Sequence, residues 1–554
     1  MENSAPLPQP LDLSHHFSYV TKLRQASEVK DLYKYFKANT ANLAGGLPHV
    51  SYFPFDTLEA GVALPQRLAS HQEQTSTRVT VPKESDTVNV KEKIDLSTAL
   101  QYGTAEGYPP LYTFLRRFVR EHLHPNVPYA DGPEITLSCG STDGFSKVIE
   151  AFVNPWNPNR DWIRDREGIL CEKFTYMSPF QLAKPKGLNI VGVPMDHEGM
   201  LPSGLEDVLE NWDFRQGRRP HLMYTVTMGQ NPTGGTLSLE RRRAIYALCQ
   251  KYDVLIIEDD PYWNLQYGPS NVNYNAEGVS SGYAFLDSLV PSYLAVDTEG
   301  RVIRLDTFSK TIAPGCRLGW ITAQPAVIER LVRITEVSTQ QPSGFVQSLV
   351  AELLIGQSRS QSHSTSARAS KTAVEQAWHV DGWVRWLEGL RDGYHQRMQA
   401  MCGALEKGKY LISENHESSG HESTTTAADD EDVAWNLVTK TQMYDFHAPT
   451  AGMFVWVELC LSTHPLAGQV ELPKLSRALW FHLTRAPFAC LVAPGELFAP
   501  SAWAQADSWR FVRLCFAPMA FEDVEALTRR FVDGCAAFWQ KKDPSEVEDD
   551  IKLA

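Results

Sequence analysis

Lys310 lies in Ser309-Lys310-Thr-Ile-Ala-Pro-Gly315-Cys-Arg317-Leu-Gly319, a run of small and turn-forming residues between two strand-like stretches, 301–308 and 319–322. An amine placed where a strand ends can be held against a ligand and stripped of water. Desolvation disfavours the ammonium form, so such a lysine becomes nucleophilic near neutral pH. That is the state required for a Schiff base to an aldehyde cofactor. Arg317, close behind on the same turn, offers a planar fork suited to a phosphate.

Three further segments extend this chemistry. The first, Asn231-Pro232-Thr233-Gly234, follows the strand-like stretch 222–227 and precedes a helix with Ser238 as N-cap and Ile245, Leu248, Cys249 and Tyr252 on one face. The second is a buried strand, 254–257, ending in Glu258-Asp259-Asp260-Pro261-Tyr262. Ligands in a parallel α/β sheet sit beyond the carboxyl ends of the strands. A carboxylate buried there beside a pyridine nitrogen would keep it protonated and make the ring an electron sink. In the third, Glu134-Ile-Thr-Leu-Ser-Cys-Gly140-Ser141-Thr142-Asp143-Gly144, a strand runs into a small-residue turn and then a helix with Phe145, Val148, Ile149 and Phe152 on one face. Backbone amides at that helix start, with the Ser141 and Thr142 hydroxyls, form a phosphate cradle. It lacks both the lysine of a nucleotide P-loop and the spacing of a dinucleotide fingerprint.

These turns need a rigid frame. From Ile94 to about Glu352 strands and helices alternate in the rhythm of a mostly parallel sheet. Pro109 and Pro110 open one helix, with Leu111, Phe114, Leu115 and Phe118 toward the core. A helical stretch is expected around residues 29–36, and an extended, loop-rich lead over 41–95. Residues 358–372 are rich in Ser, Arg and Gln and are expected to be an insertion; residues 413–432 are polar without an apolar face and are expected to be a disordered loop. The chain has 554 residues, enough for two domains, and its net charge of −14 argues against a nucleic-acid or anionic-membrane partner. Nine cysteines without a C-x-x-C pair fit a reducing compartment, and no metal is expected. With no apolar span and no signal-like N-terminus, the expected location is cytoplasmic.

The chain resembles a pyridoxal-phosphate aminotransferase of fold type I, class I/II. Within that superfamily it is similar to fungal aromatic amino-acid aminotransferases and the kynurenine/2-aminoadipate aminotransferases. The matching motifs run from Leu43-Ala-Gly-Gly46-Leu-Pro48 to Phe511-Val-Arg513-Leu-Cys-Phe516. The resemblance implies pyridoxal 5′-phosphate as cofactor and Lys310 as the residue that carries it and shuttles the Cα proton. It implies that Asp259, rather than Asp260, pairs with the pyridine nitrogen, and that Asn231 and Tyr262 donate to the ring's phenolic oxygen. Tyr176 would stack on the ring, and Ser141, Thr142, Ser309 and Arg317 would hold the phosphate. Tyr102 would reach the phosphate in a neighbouring subunit, Gly46 would close over the substrate, and Arg513 would clamp the substrate carboxylate. Strand alternation puts Phe511 and Arg513 on one face, with Arg510 on the other as the competing clamp. The phosphate turn departs from many bacterial relatives, carrying Thr142 where they have Gln after the serine.

The implied architecture is α/β: a large domain over 96–352 with a mostly parallel central sheet, and a smaller α+β domain formed by the two chain ends. The arm and its small-domain contribution span 1–95, an insertion or linker 353–379, the C-terminal small domain 380–540 and an acidic tail 541–554. The expected reaction is transfer of the amino group of tyrosine, phenylalanine or tryptophan to a 2-oxo acid such as 2-oxoglutarate, in a homodimer. The same parts would also serve β-elimination, including C–S lyase chemistry. A ligand-sensing regulator on this fold is disfavoured by the acidic charge and the lack of a recognisable N-terminal DNA-binding domain.

Overall fold

Apolar runs without polar alternation become strands covered on both faces, and here they form one seven-stranded sheet. The computed structural model describes residues 6–28, 35, 43–68, 76–268, 272–356, 378–414 and 438–552. The strands are β1 (Glu134–Ser138), β2 (Gly168–Glu172), β3 (Asn189–Val193), β4 (Leu222–Thr225), β5 (Leu255–Asp259), β6 (Val302–Thr307) and β7 (Gly319–Ala323). Their spatial order is β1-β7-β6-β5-β4-β2-β3. β7 runs antiparallel to β6 and β1, and the other pairs are parallel.

The helices start and face where their residues dictate. α1 (Pro109–Phe118) begins with proline at its first turn and buries Leu111, Phe114, Leu115 and Phe118. α2 (Ser141–Phe152) buries Phe145, Val148, Ile149 and Phe152 and packs on β6 and β7. In α3 (Leu239–Tyr252) the Ser238 hydroxyl caps the first turn by accepting from the Arg241 amide. The lead at 41–95 is more ordered than an extended loop: Thr57–Ala63 and Ser76–Pro82 pair as an antiparallel hairpin. That hairpin packs against α4 (Gly344–Ile355), burying Val79 and Val81. The arm is tied down further upstream. His15 and His16 lie 2.8 and 3.0 Å from the Asp253 carboxylate, which also accepts from Arg301 at 2.7 Å.

The chain divides into two compact units, one from 1–230, 235–393 and 450–452, the other from 231–234, 394–449 and 453–554. The second unit holds an antiparallel sheet of β8 (Tyr444–Phe446), β9 (Phe454–Leu459), β10 (Ala493–Pro494) and β11 (Phe511–Cys515), in the order β8-β9-β11-β10. A separate ladder joins Tyr410–Glu414 to Val438–Gln442. Ser413 and Glu414, expected to open a disordered loop, therefore belong to a strand, because cross-strand pairing supplies partners their polar sequence does not reveal. The rest of that loop and the insertion at 358–372 lie outside the described residues, as does the expected helical stretch at 29–36 apart from Tyr35. The acidic tail forms a helix, Pro544–Lys552, which buries Val547 and sets Asp550 2.6 Å from Lys541. Among the described residues no helix is long and apolar enough to cross a membrane.

Charge is buried in the middle of the large sheet. Every residue of β5 and β6 is buried, Glu258, Asp259, Arg304 and Asp306 included. Arg242 of α3 meets Glu258 at 3.1 Å, and Arg304 meets Glu258 at 3.1 Å, Asp306 at 3.1 Å and Asp260 at 3.4 Å. Removing one member of such a group strands the others without water, which costs about 3–5 kcal/mol. Arg304→Met should therefore lower the unfolding free energy by about that amount, read as a reduced urea midpoint. An unchanged midpoint would show that the buried acids do not depend on Arg304.

Candidate active site

The turn after β1 is shaped by a glycine that no other residue could replace without strain. Gly140 has φ +91°, and a Cβ there would lie 2.5 Å from Arg317 Nη2. The absence of a side chain lets Arg317 lie directly over the start of α2. Arg317 donates to the Cys139 carbonyl at 3.1 Å and to Ser309 Oγ at 3.3 Å, from a left-handed backbone (φ +43°) of its own. Asp143 braces the same turn by accepting from the Cys139 amide at 2.9 Å and from buried Lys147 at 2.6 Å. A cluster of first-turn amides, hydroxyls and a guanidinium results, which is the donor set an anion requires.

This turn opens on a cavity of about 400 Å³ whose lining includes Ser141, Thr142, Tyr176, Asp259 and Arg317. Five residues singled out from the sequence thus meet in one place. Ser309 joins them through its contact with Arg317. Lys310 follows on the loop after β6, half-buried, and among the described residues no carboxylate lies within ion-pair distance of its amine.

Strand alternation separates the three acids at the end of β5. Glu258 and Asp260 face the two arginines. Asp260 also accepts from the Thr227 hydroxyl at 2.6 Å and from the Met228 amide at 3.0 Å, fixing the turn that leads to Asn231. Asp259 points to the opposite face, into the cavity. Its Oδ2 accepts from Tyr224 at 2.8 Å, while its Oδ1 is buried with no hydrogen-bond partner. Burial pushes its pKa up to about 7, helped by nearby Asp260 and Asp306 and opposed by the Tyr224 bond. Tyr262, just beyond, is buried.

Asn231 and Arg513 belong to the second unit, where Arg513 Nη1 donates to Asn231 Oδ1 at 2.6 Å. Arg513 sits opposite Trp456 in the β9–β11 ladder, with its guanidinium 4.3 Å from the Phe454 ring centroid and 4.6 Å from that of Phe498. Two aromatic faces hold the planar fork in orientation. Arg510, its competitor, pairs with Glu458 and is largely exposed. Tyr102 and Gly46 do not line the cavity. Tyr102 is 61% exposed, and a Cβ at Gly46 would meet nothing within 4 Å. The sequence reading missed Tyr224 and the Asp143–Lys147 brace. Tyr224 stands in an apolar run, where its hydroxyl was the available signal.

The chain is similar to known proteins over most of its length. The family model for aminotransferase class I and II matches residues 79–416. An aromatic amino acid aminotransferase of Schizosaccharomyces pombe is 33% identical over 541 residues, covering 94% of this chain and 95% of that protein. An L-tyrosine:2-oxoglutarate aminotransferase of Serpula lacrymans is 32% identical over 460 residues, covering 82% and 76% respectively. The crystal structure of an aminotransferase from Candida albicans superposes with a TM-score of 0.75 at 31% identity, covering 96% of this chain and all of that one.

The position of Asp259 has a measurable cost. A carboxyl whose folded pKa is raised contributes stability present below its unfolded pKa, near 3.8, and lost as pH rises through about 7. Asn at this position escapes that loss. In cofactor-free protein, the stability of Asp259→Asn relative to the parent should therefore gain about 3 kcal/mol between pH 5 and pH 8. Urea unfolding at the two pH values reads it, and a constant difference would show that Asp259 is not perturbed.

Proposed function

The chain belongs to the class I and II aminotransferases, which depend on pyridoxal phosphate, and from that premise we propose that it transfers the amino group of an aromatic L-amino acid to a 2-oxo acid such as 2-oxoglutarate. The observation that carries the reading is one cavity holding both an anion cradle and a buried, half-paired carboxylate. The aromatic substrate class is supported by the named activities of the relatives in two fungi.

The residues present fit the cofactor. The amides at the start of α2, with Ser141, Thr142, Ser309 and Arg317, would hold its phosphate. The partnerless oxygen of Asp259 would accept a hydrogen bond from its protonated ring nitrogen, and a cation there relieves the burial that raises the aspartate's pKa. Tyr176 would cover the ring, and Lys310 Nζ would anchor it. Asn231 already accepts from Arg513, which leaves its amide NH₂ to donate, with Tyr262, to the phenolic oxygen. When bound, the cofactor supplies an electron sink for the charge left at the substrate Cα.

The chain's own residues do the rest. Arg513, pre-oriented between two phenylalanines, clamps the α-carboxylate in a bidentate grip and fixes the Cα–H bond relative to the base. Lys310 Nζ takes the Cα proton, and its strand-end position lets it move that proton without being tied to an acid. Asp259 keeps the ring nitrogen protonated while this happens. The reading includes a homodimer, in which Tyr102 would reach the cofactor phosphate of a neighbouring copy.

Incubation of the pyridoxal-phosphate-loaded protein with L-tyrosine and 2-oxoglutarate should yield glutamate and 4-hydroxyphenylpyruvate in equal amounts. Lys310→Ala should abolish this turnover, and Asp259→Ala should lower it by about 10²–10³-fold. Ammonia and keto acid formed from an amino acid without any 2-oxo-acid acceptor would instead indicate elimination. Ordinary turnover by the Lys310 variant would refute the assignment.

A further inference from the structure

Asp259 differs from its neighbours in having, among the described residues, no basic group within ion-pair distance of its carboxylate. Both buried arginines, Arg242 and Arg304, serve the Glu258 and Asp260 face. Among the described residues, Tyr224 provides the one protein hydrogen bond to the Asp259 side chain, at 2.8 Å. On β4, Tyr224 lies opposite Ile257 of β5, two residues from Asp259 and therefore on the same face. We infer that Tyr224 is the positioning residue for Asp259: by occupying Oδ2 it turns Oδ1 into the cavity and holds it there. The inference rests on the proposed cofactor site.

Three features suit Tyr224 to this work. It is fully buried, so no water competes for its hydroxyl. Its ring is gripped edge-on by Phe145 of α2 at 5.4 Å and 81° and by Phe180 at 5.7 Å and 88°, so the phenol cannot swing away. Burial and the adjacent Asp259 raise its pKa well above the usual range, so it remains a donor at every working pH. A carboxylate can accept at both oxygens, and the Tyr224 bond occupies one of them, Oδ2. A phenol commits it without adding a positive charge that would compete with a ring nitrogen for the carboxylate.

A double-mutant cycle read by pyridoxal phosphate dissociation constants, from quenching of protein fluorescence, tests this. Tyr224→Phe keeps the ring and removes the hydroxyl. Loss of a hydrogen bond to a charged group should weaken binding about tenfold in the parent, but less than twofold in the Asp259→Asn background. The same substitution should move the acidic limit of cofactor binding to higher pH, because Asp259 then protonates sooner. A merely structural role would lower the melting temperature without moving that limit. Equal losses in both backgrounds, or an unmoved acidic limit, overturn the inference alone. An Asp259→Asn protein that binds as tightly as the parent overturns the site reading and the inference with it.

Discussion

The structure depends on how consecutive buried acids at the end of one strand are divided between two faces. Glu258 and Asp260 point toward Arg242 and Arg304, and Asp259 points away from them. Burying a carboxylate is expensive unless it is paired. The two arginines let β5 and β6 run through the sheet centre while carrying charge. That arrangement frees the middle acid to remain under-satisfied, with a raised pKa and one open oxygen. The proposed cofactor contact and the charge pairing use opposite faces of the same strand.

The anion cradle follows a second constraint, close approach. Arg317 can lie over the start of α2 because Gly140 has no Cβ, and it reaches that place from a left-handed backbone. The cradle is then braced from behind by Asp143 and Lys147. Asp260 performs a similar service on the next loop, fixing Thr227 and Met228 ahead of Asn231. Asp143 and Asp260 thus set the loops that carry candidate site residues. This is why the three neighbouring acids cannot be exchanged for one another despite their similar chemistry.

Much of the local frame could be read from residue order. A proline pair and apolar spacing marked α1, the Ser238 cap marked α3, and a continuous apolar run marked β5. The misreadings share a cause. The 57–82 hairpin and the strand at 410–414 draw their order from partners elsewhere in the chain. The acidic tail becomes a helix because Val547 is buried and Asp550 finds Lys541. Composition suggested loops for the lead at 41–95 and for Ser413 and Glu414, and assigned the acidic tail no element, since composition does not record tertiary pairing.

Residue order carries the chemical inventory: a lysine at a strand end, a glycine-hydroxyl turn before a helix, and acids at the carboxyl end of a buried strand. Those are local facts, set by backbone conformation and periodicity. Tertiary structure alone decided which groups share a cavity, which arginine is held between aromatic rings, and which hydroxyl reaches Asp259. Each depends on strands and helices far apart in sequence being brought within hydrogen-bond distance, and no local pattern encodes that. Tyr224 is the clearest instance. In the sequence it is one aromatic residue in an apolar strand, and it becomes a specific donor only when β4 lies beside β5.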